Sequence, residues 1–72
     1  LRSYKKMRKT TIQIEGVTNF DISNVLFTTR EEIENQFGDQ YPQMENMKYS
    51  YSLSDDGNVA THTYSQVDGT KN

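Results

Sequence analysis

The chain lacks the groups that cross-link many small domains. Its 72 residues include no cysteine, one histidine and one proline. A disulfide is therefore excluded, and a zinc site would have no second His or Cys ligand beside His62. A domain of this length buries only about 60% of its unfolded surface, which predicts a small core and modest stability. The fold must be held by packing alone, or by packing plus a partner.

Long apolar runs are missing as well. No segment approaches the roughly 20 apolar residues that span a bilayer, and no apolar stretch has the form of a signal peptide. The absence of cysteine fits a reducing compartment. The sequence therefore predicts a cytoplasmic protein with no membrane partner.

Charge is distributed unevenly along the chain. Residues 1–9 hold five of the eight Lys and Arg residues and no acid, whereas residues 10–72 hold three bases and all ten acids. The basic start would suit an anionic partner, but the acidic body argues against nucleic acid as the main ligand. We expect residues 1–9 to form a disordered basic leader, residues 10–67 a single domain and residues 68–72 a flexible tail.

The first part of the domain has the pattern of two strands. Residues 10–15 alternate two isoleucines with polar residues, which is the period of a half-buried strand. A glycine then permits a turn, and residues 17–22 form a weaker second strand. The short apolar run at residues 25–27 is expected to lie beneath the helix that follows.

A helix is predicted from Thr29 onward. Residues 29–32 have the capping-box form, in which a Thr hydroxyl and a Glu carboxylate each accept a hydrogen bond from an exposed amide. Ile33 and Phe37 share one face. Pro42 ends the element, so the predicted helix has about three turns.

The second part of the domain is predicted to be a hairpin. Residues 47–53 alternate apolar and polar side chains, residues 55–58 have turn chemistry, and residues 59–67 return as the partner strand. The order strand, strand, helix, strand, strand predicts an α+β domain of β-grasp type, with one helix on a four-stranded mixed sheet. The predicted core comprises Ile12, Ile14, Ile33, Phe37, Tyr49, Tyr51 and Leu53.

No constellation in the sequence favours catalysis. His62 stands mid-strand without a second metal ligand, and it is expected to be exposed. No nucleophile elbow surrounds any serine, and residues 55–58 lack the spacing of a calcium loop. We therefore expect no catalytic residue, no metal and no cofactor.

The last strand contains the candidate contact residues. Tyr64 and His62 lie on one face together with Ala60, and the Val and Thr residues lie on the other. One of these faces must be exposed to solvent. If it is the Tyr64 face, Tyr64 and His62 form a partner-binding patch, and a lone exposed tyrosine is the alternative.

Five short motifs occur in a shared order: Gly16-Val17-Thr18, Glu31-Glu32-Ile33, Gln40-Tyr41-Pro42, Asp56-Gly57 and Gly69-Thr70-Lys71. Together they resemble protein C of the PRTRC (ParB-related, ThiF-related cassette) system, over nearly the whole chain. The resemblance implies a ubiquitin-like protein of a plasmid or phage cassette, encoded beside a ThiF-like adenylating protein and a JAB-type metalloprotease.

The resemblance also suggests which partners to expect. It implies docking on the ThiF-like or JAB-type protein, with Gly69, Thr70 and Lys71 as further contact residues. We expect the chain itself to be a monomer or a weak dimer. Family members tend to end in Gly where this sequence has Asn72, which predicts docking without covalent transfer. Two alternatives remain open: an effector that inhibits a host protein, and a nucleic-acid accessory protein that binds through its leader.

Overall fold

The chain folds into a helix packed on a four-stranded sheet. The structure is a computed structural model that describes residues 8–67. Its elements are β1 (Lys9–Ile14), β2 (Thr18–Ser23), α1 (Arg30–Phe37), a 3₁₀ helix (Pro42–Asn46), β3 (Lys48–Leu53) and β4 (Val59–Ser65). The predicted α+β class and strand–strand–helix–strand–strand order are confirmed.

The sheet is mixed, as predicted. Its spatial order is β2-β1-β4-β3. β1 and β2 form one antiparallel hairpin and β3 and β4 form the other, while the central strands β1 and β4 run parallel. The helix lies in the connection between the two hairpins. The first and last strands are therefore buried in the middle of the sheet, and β2 and β3 form its two edges.

The core lies between the helix and one face of the central strands. Ile12 and Ile14 of β1, Ile33 of the helix and Tyr64 of β4 are all buried there. The 3₁₀ helix adds Met44, which is also buried. The sequence analysis did not predict this 3₁₀ helix. It used Pro42 only as the end of the preceding helix, although proline is also compatible with the first turn of a new one.

The helix is shorter than predicted. It ends at Phe37 after eight residues, and Gly38 follows, where a Cβ atom would lie 2.5 Å from the carbonyl oxygen of Glu34. Its start agrees with the prediction, since the Thr29 hydroxyl accepts a hydrogen bond from the Glu32 amide (3.2 Å). The Glu32 carboxylate accepts from the Thr28 amide (3.0 Å), one residue before the predicted capping-box partner.

The predicted core was partly wrong. Phe37 and Tyr49 are half-buried against it, but Tyr51 and Leu53 are 37% and 45% exposed. The reason is geometric, because the two-turn helix packs over the central strands. The contacts from the helix to the edge strand β3 reach Tyr49, over whose ring the Arg30 guanidinium lies at 5.2 Å.

The sheet begins slightly earlier than the predicted domain boundary. Lys9 is the first residue of β1, and its amide donates to the Asn58 carbonyl (2.9 Å). The Arg8 carbonyl accepts from the Asn24 amide (2.8 Å). Both residues were assigned to the leader, but their backbone groups belong to the sheet. The predictions for residues 1–7 and for the tail at residues 68–72 lie outside the described residues.

Candidate functional site

His62 is in the core, so the prediction that it is exposed was wrong. Its side chain is fully buried, and both ring nitrogens have partners. Nε2 lies 2.8 Å from the Phe27 carbonyl oxygen and Nδ1 lies 2.9 Å from the Tyr49 hydroxyl. Because a carbonyl oxygen can only accept, Nε2 donates to it. In the neutral imidazole Nδ1 then accepts from the Tyr49 hydroxyl. The imidazole thus fixes the segment before the helix onto the sheet.

Tyr64 is buried beside it, against the prediction of a surface patch. Its hydroxyl donates to the Glu34 carboxylate (3.3 Å), which also accepts from Nε of Arg30 (2.7 Å). Burial raises the pKa of the Tyr64 hydroxyl, and the negative charge of Glu34 raises it further. Burial raises the pKa of Tyr49 as well. Tyr64 therefore links the helix to β4, and His62 links the segment before the helix to the same strand. Both side chains are buried, so neither is placed to contact a partner.

The remaining predicted contact residues, Gly69, Thr70 and Lys71, lie outside the described part of the chain. Among residues 8–67, no group of three or more His, Asp or Glu side chains is arranged to hold a metal ion.

Along the edge formed by β3, every second residue has backbone groups without a strand partner among residues 8–67. In the β3–β4 hairpin the Ser54 amide donates to the Val59 carbonyl (2.9 Å). Hydrogen-bonded pairs alternate along an antiparallel ladder, so Ser52, Ser50 and Lys48 also direct their N–H and C=O groups toward β4. The backbone groups of the three residues between them point away from the sheet, and none of residues 8–67 pairs with that side of β3. These three residues are Tyr49, Tyr51 and Leu53.

Apolar side chains accompany these backbone groups. Tyr51 and Leu53 are the exposed large side chains of β3, and the Tyr51 ring lies 5.0 Å from the His62 ring. The only charged residue of the strand is Lys48, at its first position. We call the outward backbone groups of Tyr49, Tyr51 and Leu53, with the side chains of Tyr51 and Leu53, the open edge.

The opposite edge, formed by β2, differs in chemistry. The Asn24 amide pairs with the Arg8 carbonyl, so by the same alternation Asn19, Asp21 and Ser23 direct their backbone groups outward. Asp21 accepts from the Thr11 hydroxyl (2.9 Å) and forms an ion pair with Lys9 (3.3 Å). Both interactions hold the pKa of Asp21 below its ordinary value. A charge therefore stands at the centre of this edge, and no charge stands at the centre of the open edge.

Sequence reasoning missed the open edge for a specific reason. The alternation in residues 47–53 correctly indicated that Tyr51 and Leu53 share a face with Tyr49. Alternation cannot show whether a strand is central or at an edge, and that position decides whether the face is covered. The scarcity of charge in β3 was the signal available, but it is equally typical of a buried strand.

Comparisons of the chain with models of protein families, with curated proteins and with solved structures found no match. No helix in the described residues is long and apolar enough to cross a membrane.

Proposed function

We propose that this chain is a non-catalytic, cytoplasmic protein-interaction module of β-grasp type, which binds a partner strand along its open edge. The observation that supports the proposal is the coincidence, on one edge strand, of outward backbone groups and exposed apolar side chains at Tyr51 and Leu53. In strand addition, main-chain hydrogen bonds supply affinity and alternate side chains supply specificity. Both kinds of group are present at this edge.

The β-grasp assignment is supported by the connectivity. Two hairpins flank one helix, and the first and last strands lie parallel at the centre of the sheet. This is the arrangement expected of ubiquitin-like domains. With the resemblance to PRTRC protein C, it makes a ThiF-like or JAB-type protein of the same mobile element the proposed partner.

Both faces of β3 would contact an added strand. Tyr51 and Leu53 would contact apolar side chains on the helix side, whereas Ser50 and Ser52 would contact polar side chains on the other side. A partner strand with alternating apolar and polar residues therefore fits the edge, in either direction.

The test is a binding titration with the ThiF-like protein plus ATP, and separately with the JAB-type protein. We expect the parent chain to form a complex and Tyr51→Lys to weaken it by about tenfold or more. Asn19→Lys, which adds the same charge at the other edge, should bind like the parent. Circular dichroism establishes that both variants are folded.

Two results would overturn this proposal. Equal binding by Tyr51→Lys and the parent would exclude the open edge as the docking site. A covalent adduct in the mass spectrum after incubation with ATP would show a transferred modifier instead of a docking module.

A further inference from the structure

We propose that the open edge is occupied by a second copy of this chain, with the two β3 strands antiparallel across a two-fold axis. The inference rests on the proposed function because it uses the same edge, which a second copy and the ThiF-like or JAB-type protein would occupy in turn. The two sheets would join into one of eight strands, with both helices on the same side.

The positions of the outward backbone groups support this pairing. Tyr49, Tyr51 and Leu53 are spaced symmetrically about Tyr51. When Tyr51 lies opposite the partner's Tyr51, Tyr49 lies opposite the partner's Leu53, and both copies present outward groups at every such position. Each of these pairs can then exchange two hydrogen bonds, as in a regular antiparallel ladder. The strand is thus complementary to itself over its whole length.

The side chains fit the same register. Tyr51 and Leu53, at 37% and 45% exposure, would be covered by the partner's aromatic and aliphatic side chains. Contacts between aromatic side chains at opposed positions, such as Tyr51 and the partner's Tyr51, stabilise antiparallel strand pairs. Lys48 would lie opposite the partner's Ser54, so no like charges face each other.

Charge favours β3 over β2 as the dimer edge. The outward residues of β2 are centred on Asp21, and the equivalent two-fold pairing would place Asp21 directly opposite the partner's Asp21. Like charges at directly opposed positions destabilise a sheet pair. Sheets commonly protect an edge against pairing with a charge, a proline or a bulge, and β3 has none of these at its centre.

The first experiment measures molar mass by light scattering from micromolar to millimolar concentration. An interface of one strand pair is small, so we expect a weak dimer, with the apparent mass rising from 8.4 kDa toward twice that value. Tyr51→Lys should remain at 8.4 kDa because it places two ammonium groups at the axis, whereas Asn19→Lys should follow the parent. A parent chain that stays monomeric throughout would overturn the proposal, and so would a dimer that Asn19→Lys disrupts and Tyr51→Lys does not.

The second experiment tests the register by mild oxidation of cysteine variants, since the chain has no cysteine of its own. In Tyr51→Cys the two Cα atoms would be about 5.5 Å apart, within the range for a disulfide. In Leu53→Cys they would be about 14 Å apart along the antiparallel strands. We expect Tyr51→Cys to form covalent dimer at least about tenfold faster than Leu53→Cys. Equal rates would indicate random collision and overturn the register.

The two proposals can fail separately. A monomeric chain whose binding to the ThiF-like or JAB-type protein is still lost in Tyr51→Lys would overturn the second copy as occupant and support the docking edge. A dimer in which the same variant leaves that binding unchanged would support the second copy and overturn docking at this edge.

Discussion

Three polar side chains are placed inside the layer between helix and sheet, and each has partners there. His62 joins Phe27 to Tyr49, and Tyr64 joins β4 to Glu34. The Thr10 hydroxyl accepts from the Phe27 amide (2.9 Å) and donates to a carbonyl of the same loop (2.8 Å). A buried polar group destabilises a fold only when it lacks a partner. In a chain that is 32% hydrophobic, such groups extend a small apolar core.

Removal of the imidazole tests this role. His62→Ala should lower the free energy of unfolding by roughly 2–4 kcal/mol, because it leaves a cavity and removes the donor to the Phe27 carbonyl. Thr61→Val, on the opposite face of the same strand, should change it by about 0.5 kcal/mol or less. Urea unfolding at pH 7 measures both. Similar small losses in the two variants would show that the His62 hydrogen bonds contribute little.

The buried tyrosine predicts a loss of stability at alkaline pH. The folded-state pKa of Tyr64 is raised above the ordinary value of 10.0, so the unfolded chain releases this proton at lower pH than the folded chain. The stabilisation is fully present below pH 10 and declines as pH rises from there toward the folded-state pKa. Melting temperatures measured from pH 8 upward should fall above pH 10, and less steeply in Tyr64→Phe. If the melting temperature of Tyr64→Phe fell above pH 10 as steeply as that of the parent, the prediction would be contradicted.

At the scale of the element, the helix depends on its first turn. Eight residues are too few for a stable isolated helix, so the cap and the tertiary contacts must hold it. Arg30 pairs with Glu34 four residues on (2.7 Å) and lies over the Tyr49 ring. The Thr29 hydroxyl accepts from one of the amides that have no partner within the helix.

The contribution of the cap can be measured directly. Thr29→Ala should lower the free energy of unfolding by about 1 kcal/mol. Thr28→Ala is the matched control, because the cap uses the Thr28 backbone amide and not its hydroxyl. Thermal or urea unfolding measures the stability change of both variants. A larger loss of unfolding free energy in Thr28→Ala than in Thr29→Ala would show that Thr29 is not the capping residue.

The edge strand β3 should show its register in amide exchange. In dilute solution the amides of Ser50 and Ser52, which are directed toward β4, should exchange at least about tenfold more slowly than those of Tyr51 and Leu53. At millimolar concentration the Tyr51 amide should become protected if β3 pairs with a second copy. Nuclear magnetic resonance at two concentrations measures this. Uniform protection along β3 in dilute solution would contradict the alternation.

At the scale of the whole molecule, residues 8–67 form two layers around a small core. The sheet face opposite the helix has no covering layer among the described residues and carries side chains such as Thr11, Gln13 and Thr63. Stability is therefore concentrated where the helix meets β1 and β4. The edge strands contribute less, which leaves β3 available for pairing.

When a core side chain is truncated to alanine, the loss of stability should depend more on how deeply the side chain is buried than on its size. Ile33 is fully buried, whereas Phe37 is half-buried at the rim and packs edge-on against Phe20 at 5.3 Å. We expect Ile33→Ala to cost roughly 3–4 kcal/mol and Phe37→Ala about 2–3 kcal/mol, although Phe37 loses more atoms. Urea unfolding of both variants measures the order. The reverse order would show that the core centre lies nearer Phe37.

The sequence by itself determined the local features. Alternation defined β1, the capping residues defined the start of the helix, and the Gly16 and Gly57 turns, both at positive φ, were placed correctly. Each of these depends on interactions within a few residues of the chain, such as capping hydrogen bonds, turn geometry and side-chain period. Such interactions can be recognised from residue types and their spacing alone.

Only the tertiary structure decided which faces and strands are exposed. His62 and Tyr64 are buried and Tyr51 and Leu53 exposed because β4 lies at the centre of the sheet and β3 at its edge. Strand order depends on long-range pairing, which alternation along one strand does not encode. Residues such as Thr and Tyr also suit both a buried and an exposed strand face. The open edge therefore follows from the arrangement of the strands and not from any local motif.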